Sequence, residues 1–151
     1  MGIKATKIKF IKNVSDDSQN SMVYNFRIRK IFDLTFSVEP QKGQNGDIVL
    51  LYQNLKNETC LTHLVEIVDA TVRHTKSKKY NFFMKVKVVG KFSHRKRKYN
   101  TSIADISFKG AGQGSSLVEI DNLQDIKNEK FTLSDVQNRI LRLFKDEGKT
   151  V

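Results

Sequence analysis

The sequence predicts a mainly β fold with peripheral α structure, a small β-barrel or pseudobarrel that ends in one C-terminal helix. Apolar and polar residues alternate over much of the chain up to about residue 120, which is the period of half-buried strands. A period of 3.6 residues appears only near the end. The 151 residues suit one domain, and we expect the barrel over about residues 3–126 and the helix over about 133–147.

The strand segments are separated by turn signals and not by helices, which favours an antiparallel, strongly curved sheet. Asn45-Gly46-Asp47 is such a signal, and the buried strand 47–54 follows it. The basic turn HTKSKK joins two long strands. In chain order, the predicted extended segments are residues 4–11, 22–31, 34–38, 47–54, 62–73, 80–92, 102–108 and 117–120.

The C-terminal helix has start and stop signals of its own. Thr132 is the expected N-cap, Asp135 completes a capping box, and Phe131 and Val136 are spaced for a hydrophobic staple. Gly148 is the expected C-cap. One apolar stripe is predicted to pack against the barrel, and it consists of Leu133, Val136, Ile140, Leu143 and Phe144.

The composition excludes several classes of protein. No stretch approaches the roughly 18 consecutive apolar residues of a membrane span, and the N-terminus lacks the apolar core of a secretory signal. We therefore expect a cytoplasmic protein that has no membrane partner. Cys60 is the only cysteine, which excludes an intrachain disulfide and a cysteine-based zinc site.

The net charge of +11 comes from one segment of the chain. Residues 73–98 contain eleven bases and no acid, and the other residues hold 27 − 11 = 16 bases against 16 acids. Charge concentrated in this way favours a surface that binds nucleic acid, although a solvated basic face or an anionic lipid or acidic partner would also fit. The eleven bases are Arg73, Lys76, Lys78, Lys79, Lys85, Lys87, Lys91, Arg95, Lys96, Arg97 and Lys98.

Within this segment, strand 80–92 has two distinct faces. Alternation places Phe83 with Lys85, Lys87 and Lys91 on one face, where the lysines would neutralise phosphates and Phe83 would stack on a base. An edge strand protected by lysines is the alternative. The opposite face is predicted to pack in the core, and it consists of Tyr80, Phe82, Met84, Val86, Val88 and Phe92. The sequence does not decide which of the basic connections at the two ends of the strand binds a backbone.

No motif indicates an enzyme, a metal site or a cofactor. The glycine-rich residues 109–116 lead into a strand, whereas a phosphate-binding loop leads into a helix. Asp125-Ile126-Lys127 is the one acid-x-Lys triplet considered for a nuclease, and it falls in a predicted turn. We therefore expect no catalytic residues, no metal and no cofactor.

Three short segments resemble the PUA-like superfamily, particularly the EVE and ASCH domains. They are GDIVLLY at residues 46–52, THLVEIV at 62–68, and SLVEI at 116–120. The resemblance implies a small β-barrel that reads nucleic acid, often by accepting one flipped, modified base. Such domains serve as N-terminal recognition modules of modification-dependent restriction proteins, which favours DNA over RNA and implies further domains or subunits of a restriction complex as partners.

The resemblance also implies an aromatic pocket for the base. The EVE relatives use tryptophan there and this chain has none, so Tyr24, Phe26 and Tyr52 are the candidates, with Phe83 as a further one. Two alternatives stay open. One is a stand-alone RNA-binding PUA-like protein. The other is the pseudobarrel of restriction-enzyme effector domains, which reads the DNA major groove through its loops.

Overall fold

The computed structural model describes residues 2–14, 26–55, 58–74, 82–92, 102–103, 106–107 and 117–151. Within these ranges, most of the chain is extended and one long helix lies near the end, so the prediction of a mainly β protein with a C-terminal helix is confirmed. The strands are β1 (Ile8–Val14), β2 (Ile31–Phe36), β3 (Ile48–Leu55), β4 (Glu58–His74), β5 (Phe82–Lys91), β6 (Ser102–Ile103), β7 (Ile106–Ser107), β8 (Val118–Glu119) and β9 (Lys149–Thr150). The helices are α1 (Gln124–Lys127) and α2 (Leu133–Glu147), with 3-10 turns at Ala5–Lys7 and Ile120–Asn122.

One mixed sheet contains seven of these strands. Six follow the order β2-β5-β4-β3-β1-β8, and β9 pairs with β5. The β1–β3 pair is parallel, so the expectation of a purely antiparallel sheet is wrong there. The reason is topological, because the chain passes from β1 to the far edge of the sheet, forms β2, and returns to place β3 beside β1. Among the described strands no ladder joins β2 to β8, and the sheet is not a closed barrel.

Two predicted segments near the N-terminus differ from the structure. The strand expected over 4–11 begins only at Ile8, because Ala5–Lys7 forms a 3-10 turn, and it continues to Val14. The strand expected over 22–31 is described only from Phe26, and residues 26–30 form a turn that leads into β2. The alternation of R-I-R-K has the period of a strand, but backbone hydrogen bonds close the chain into a turn there.

The sheet has an apolar core on each face. One core is covered by α2, and we call it the helix-side core. Leu50 and Tyr52 of β3 face it. Val49 and Leu51 of the same strand face the core on the opposite side of the sheet, which we call the inner core. The inner core is enclosed by curvature of the sheet. It is formed by Phe10, Val14, Phe32, Leu34, Phe36, Val49, Leu51, Val65, Ile67, Met84, Val86, Val88 and Leu117.

Helix α2 begins and ends as predicted. Thr132 Oγ1 accepts from the Asp135 N–H and the Asp135 carboxylate accepts from the Thr132 N–H, which completes the capping box. Gly148 follows the helix in an extended conformation, and a Cβ there would lie 2.6 Å from the backbone oxygen of Lys91. The glycine is therefore required by the close approach of β5 and not by a left-handed cap.

Candidate nucleic-acid interface

The middle of β5 presents the two faces that its alternation predicts. Met84 and Val86 are buried in the inner core, and Lys85 and Lys87 project from the other side. Helix α2 packs on the same side of the sheet as these two lysines, but only near the end of β5, at Val89 and Phe92. We call this uncovered side of β2, β5 and β4 the outer face, and it holds Thr35, Asp33, Phe83, Lys85, Lys87, Glu66 and Arg73.

A β-bulge changes the alternation near the end of β5. Leu64 pairs with Gly90 and Val65 pairs with Val88, which leaves Val89 as an extra residue. Phe92 consequently packs on Phe144 of α2, with the ring centres 4.2 Å apart, in the helix-side core. The prediction that Phe92 shares a face with Met84 is wrong, and Lys91 lies on the face opposite to Lys85 and Lys87.

Carboxylates from neighbouring strands neutralise the bases of the outer face. Lys85 Nζ lies 3.1 Å from Asp33 Oδ1 on β2, and Lys87 Nζ lies 3.8 Å from Glu66 Oε1 on β4. Both lysines therefore face an acid across the ladder. A phosphate that binds either lysine would have to displace this carboxylate or come close to its negative charge.

The base at the other end of the outer face is paired in the same way. Arg73 Nη2 lies 3.1 Å from Asp69 Oδ2 within β4. Hydrogen bonds from Thr71 and then from Arg73 hold the pKa of the Asp69 carboxyl below its usual value, so this acid stays ionised. Three cations thus stand opposite three carboxylates, and the outer face is close to neutral.

Phe83 lies among these ion pairs. It pairs in register with Thr35 on β2 and with Arg73 on β4, and its side chain is half-buried. Phe82, its neighbour, packs against the inner core and meets the ring of His74 edge-on at 4.5 Å. The exposed part of Phe83 is available to an incoming base from the outer face only.

Most of the predicted basic residues lie outside the described ranges. They are Lys76, Lys78, Lys79, Arg95, Lys96, Arg97 and Lys98. The structure does show where their connections leave the sheet. Residues 75–81 connect His74 to Phe82, and residues 93–101 follow Phe92 at the opposite end of β5. A ten-residue strand spans roughly 30 Å, which separates these two exits.

A third group of bases, which the sequence interpretation missed, lies in the turn before β2. Arg27, Arg29 and Lys30 are all exposed, and backbone hydrogen bonds hold the turn beside Val88 of β5. The signal is present in the sequence, because residues 18–32 contain three bases and no acid. The count of charges outside residues 73–98 does not reveal this group, because the bases and acids there are equal in number and their charges sum to zero.

Two of the three residues predicted to line the base pocket are described, and they pack in different cores. Tyr52 is only 9% exposed and packs in the helix-side core, where burial raises the pKa of its hydroxyl. Phe26 packs against the inner core, with its ring centre 4.5 Å from that of Phe32. These cores lie on opposite faces of the sheet, so Tyr52 and Phe26 do not face each other, and the base pocket stays a prediction. Tyr24 is outside the described residues.

The Gly-Asp pair of the resemblance has a structural role in this chain. Asp47 is buried, accepts a hydrogen bond from the Gln44 N–H at 3.0 Å, and pairs with Lys9 Nζ at 3.2 Å. Gly46 adopts a φ of 92°, in the left-handed region that favours glycine. Its N–H donates to the Ile67 oxygen, and this contact fixes the turn on β4.

Other kinds of site receive little support from the described part of the chain. It contains no group of three or more His, Cys, Asp or Glu side chains placed to hold a metal ion. A surface cavity of about 240 Å³ lies at the start of α2 and is lined by Lys9, Phe10, Glu119, Asp121 and Gln137, among others. The predicted phosphate-binding residues are not among its lining residues. No helix in the described ranges has the length and apolarity to cross a membrane.

Comparisons with protein-family models, with curated proteins and with solved structures found no match to this chain. The PUA-like resemblance therefore stays a prediction from three short motifs.

Proposed function

We propose that this protein is a nucleic-acid-binding recognition module, for DNA in preference to RNA, and that it has no catalysis of its own. One observation carries the proposal: residues 73–98 hold eleven bases without an acid, in a chain that is otherwise neutral. A nucleic-acid backbone is a dense line of negative charge, and neutralising it releases condensed counterions. Such a segment favours this partner over a small anion.

The ion pairs of the outer face indicate which bases supply the affinity. Lys85 and Lys87 already interact with Asp33 and Glu66, so they add little net positive potential. Of the eight bases that remain when Arg73 is counted with these two, seven belong to residues 75–81 and 93–98, and the eighth is Lys91. This distribution supports binding by the connections at the strand ends, as in the effector-type pseudobarrels, and assigns Phe83 at most a secondary contact.

The preference for DNA and the barrel class rest on the resemblance to PUA-like modules of restriction proteins. The curvature of the sheet is compatible with a pseudobarrel, because Lys12 of β1 contacts Phe36 of β2 although three strands separate β1 from β2 in the sheet. Further domains or subunits of a restriction complex would supply the chemistry that follows recognition. A stand-alone RNA-binding protein is the alternative that a binding titration distinguishes.

The test is a fluorescence anisotropy titration against duplex and single-stranded DNA and RNA, with and without methylated bases, over a series of salt concentrations. We expect binding whose logarithmic salt slope falls by about 0.9 per lost phosphate contact. Variants that neutralise Lys76, Lys78 and Lys79, or instead residues 95–98, identify the connection that binds. Absence of salt-dependent binding to every ligand would refute the proposal, and tighter binding to RNA would reverse the preference.

A further inference from the structure

The turn before β2 is fixed to the sheet by its backbone. The Arg29 N–H donates to the Val88 oxygen at 2.8 Å, and the Lys30 oxygen accepts from the Val88 N–H at 2.9 Å. Within the turn, the Lys30 N–H donates to the Arg27 oxygen at 3.1 Å. The ring of Phe26 packs on Phe32 and holds the start of the turn against the inner core. The turn is therefore a rigid extension of the β2–β5 ladder.

Arg29 occupies a backbone conformation that glycine or asparagine would adopt with less strain. Its φ is 74°, and the described residues contain only one other non-glycine residue with a positive φ, Glu129. Strained backbone of this kind persists where the surrounding structure imposes it, and it is concentrated at functional sites. Arg29 is exposed, and its backbone bonds hold the strained turn in place.

Among the described residues, the bases of the turn differ from those of the outer face in having no acid paired with them. Within the described part of the chain, no ion pair involves Arg27, Arg29 or Lys30. The nearest acid along the chain, Asp33, is already paired with Lys85. Ile31, which follows the three bases, is 50% exposed. The turn therefore combines three cations that no acid of the described residues pairs with and an exposed apolar side chain.

We propose that residues 27–31 form a pre-organised binding site for the phosphates of a nucleic-acid backbone, an inference that rests on the proposed function. Arginine forms paired hydrogen bonds with phosphate oxygens, and a rigid turn loses little entropy when it binds. Ile31 would contact the sugars between neighbouring phosphates. The turn lies beside Val88, near the exit of residues 93–101, so this end of β5 is the binding end, and residues 75–81 join the sheet at its other end, at His74 and Phe82.

Two triple variants with the same loss of charge test the site. R27A/R29A/K30A removes the bases of the turn, and K4A/K7A/K127A removes three exposed bases that lie before β1 and in α1. For the turn variant we expect affinity at least ~10-fold weaker and a salt slope lower by about 2 to 3. The matched control should lose less than ~3-fold, because β2, which the turn precedes, lies at the opposite edge of the sheet from β1 and β8. Equal losses in the two variants would overturn the inference.

Arg29→Gly separates binding from folding. Glycine relieves the backbone strain, so the melting temperature should be unchanged or higher. The salt slope should fall by about 0.9, the contribution of one phosphate contact. Arg29→Lys should retain most of the slope. Unchanged binding by Arg29→Gly, in a wild type that does bind nucleic acid, would overturn this inference and leave the proposed function standing. Absence of binding by the wild type would refute the proposed function itself.

Discussion

Lysines on the two faces of the sheet are held in opposite ways. On the outer face, Lys85 is 46% exposed and has Asp33 as its partner. On the inner side, Lys12 of β1 is 3% exposed, and its ammonium lies 4.7 Å from the centre of the Phe36 ring. No ion pair involves Lys12 in the described part of the chain, and burial lowers the pKa of its ammonium to about 8.

This difference shows that the role of a base depends on what stands opposite it. Lys85 is neutralised by a carboxylate across the ladder, and Lys12 loses hydration that an aromatic ring replaces only in part. Neither lysine is well placed to attract a distant polyanion. The sequence shows only the number of charges, and their pairing across strands decides which of them can bind.

The largest expected effect comes from removing the ring beneath Lys12. Phe36→Ala leaves a cavity in the inner core and deprives the Lys12 ammonium of its contact, so the free energy of unfolding should fall by about 3–5 kcal/mol. Phe83→Ala, the matched change on the outer face, should cost about 1 kcal/mol because that ring is only half-buried. Urea denaturation of both variants measures the difference. Equal losses would contradict the assignment of the two faces.

The second effect concerns pH. The pKa of Lys12 is about 8 in the folded protein and has its ordinary value of 10.5 in the unfolded chain, so between these values the unfolded chain binds more protons and stability rises with pH. The full rise contributed by Lys12 is about 3 kcal/mol. Lys12→Met should remove this rise and be more stable than the wild type near neutral pH. The test measures the unfolding free energy of the wild type minus that of the variant from about pH 8 to 9.5, the lower part of this window.

A flat difference across that range would show that Lys12 keeps its ordinary pKa. Lys85→Met is the matched control, since its ammonium is half-exposed and paired, and this variant should retain the rise with pH.

The third prediction tests whether the carboxylates suppress binding by the outer face. Asp33→Asn together with Glu66→Gln frees Lys85 and Lys87, and we expect nucleic-acid affinity to increase by up to ~10-fold with a salt slope steeper by about 1 to 2. Anisotropy titration at two salt concentrations measures both quantities. An unchanged slope would show that the backbone does not reach this face.

The smallest effect is the coupling within one ion pair. A double-mutant cycle on Lys85 and Asp33 should give about 0.2–1 kcal/mol, because both side chains are nearly half-exposed and water screens their attraction. The coupling should decline in concentrated salt. A coupling above ~2 kcal/mol would indicate a pair as strong as a buried one.

Local patterns predicted the parts of the fold that depend on neighbouring residues. The alternation of 62–73 and 80–92 identified β4 and β5, and Thr132 with Asp135 identified the start of α2. The parallel pairing of β1 with β3 was missed, because pairing between distant segments leaves no periodic signal. The bulge at Val89 was also missed, since only its partners on β4 define it.

The candidate site was harder to predict for the same reason. Residues 73–98 were correctly identified as the source of the net charge, but the acids that neutralise Lys85 and Lys87 come from β2 and β4. Tyr52 and Phe26 were grouped as aromatic residues, and only the sheet shows that they lie on opposite faces. The turn at Arg29 needed its φ angle and its bonds to Val88 to be recognised as a separate surface.

The position of β1 has a consequence for how the chain folds during synthesis. This first strand lies between β3 and β8, and the buried Gln137 side chain of α2 donates to the Ile8 oxygen at 3.0 Å. The ribosome must therefore have synthesised the chain as far as Gln137 before β1 can acquire all these neighbours. Such non-local pairing slows folding to about milliseconds to seconds, and until then the apolar side chains of β1 are exposed to chaperones and to other nascent chains.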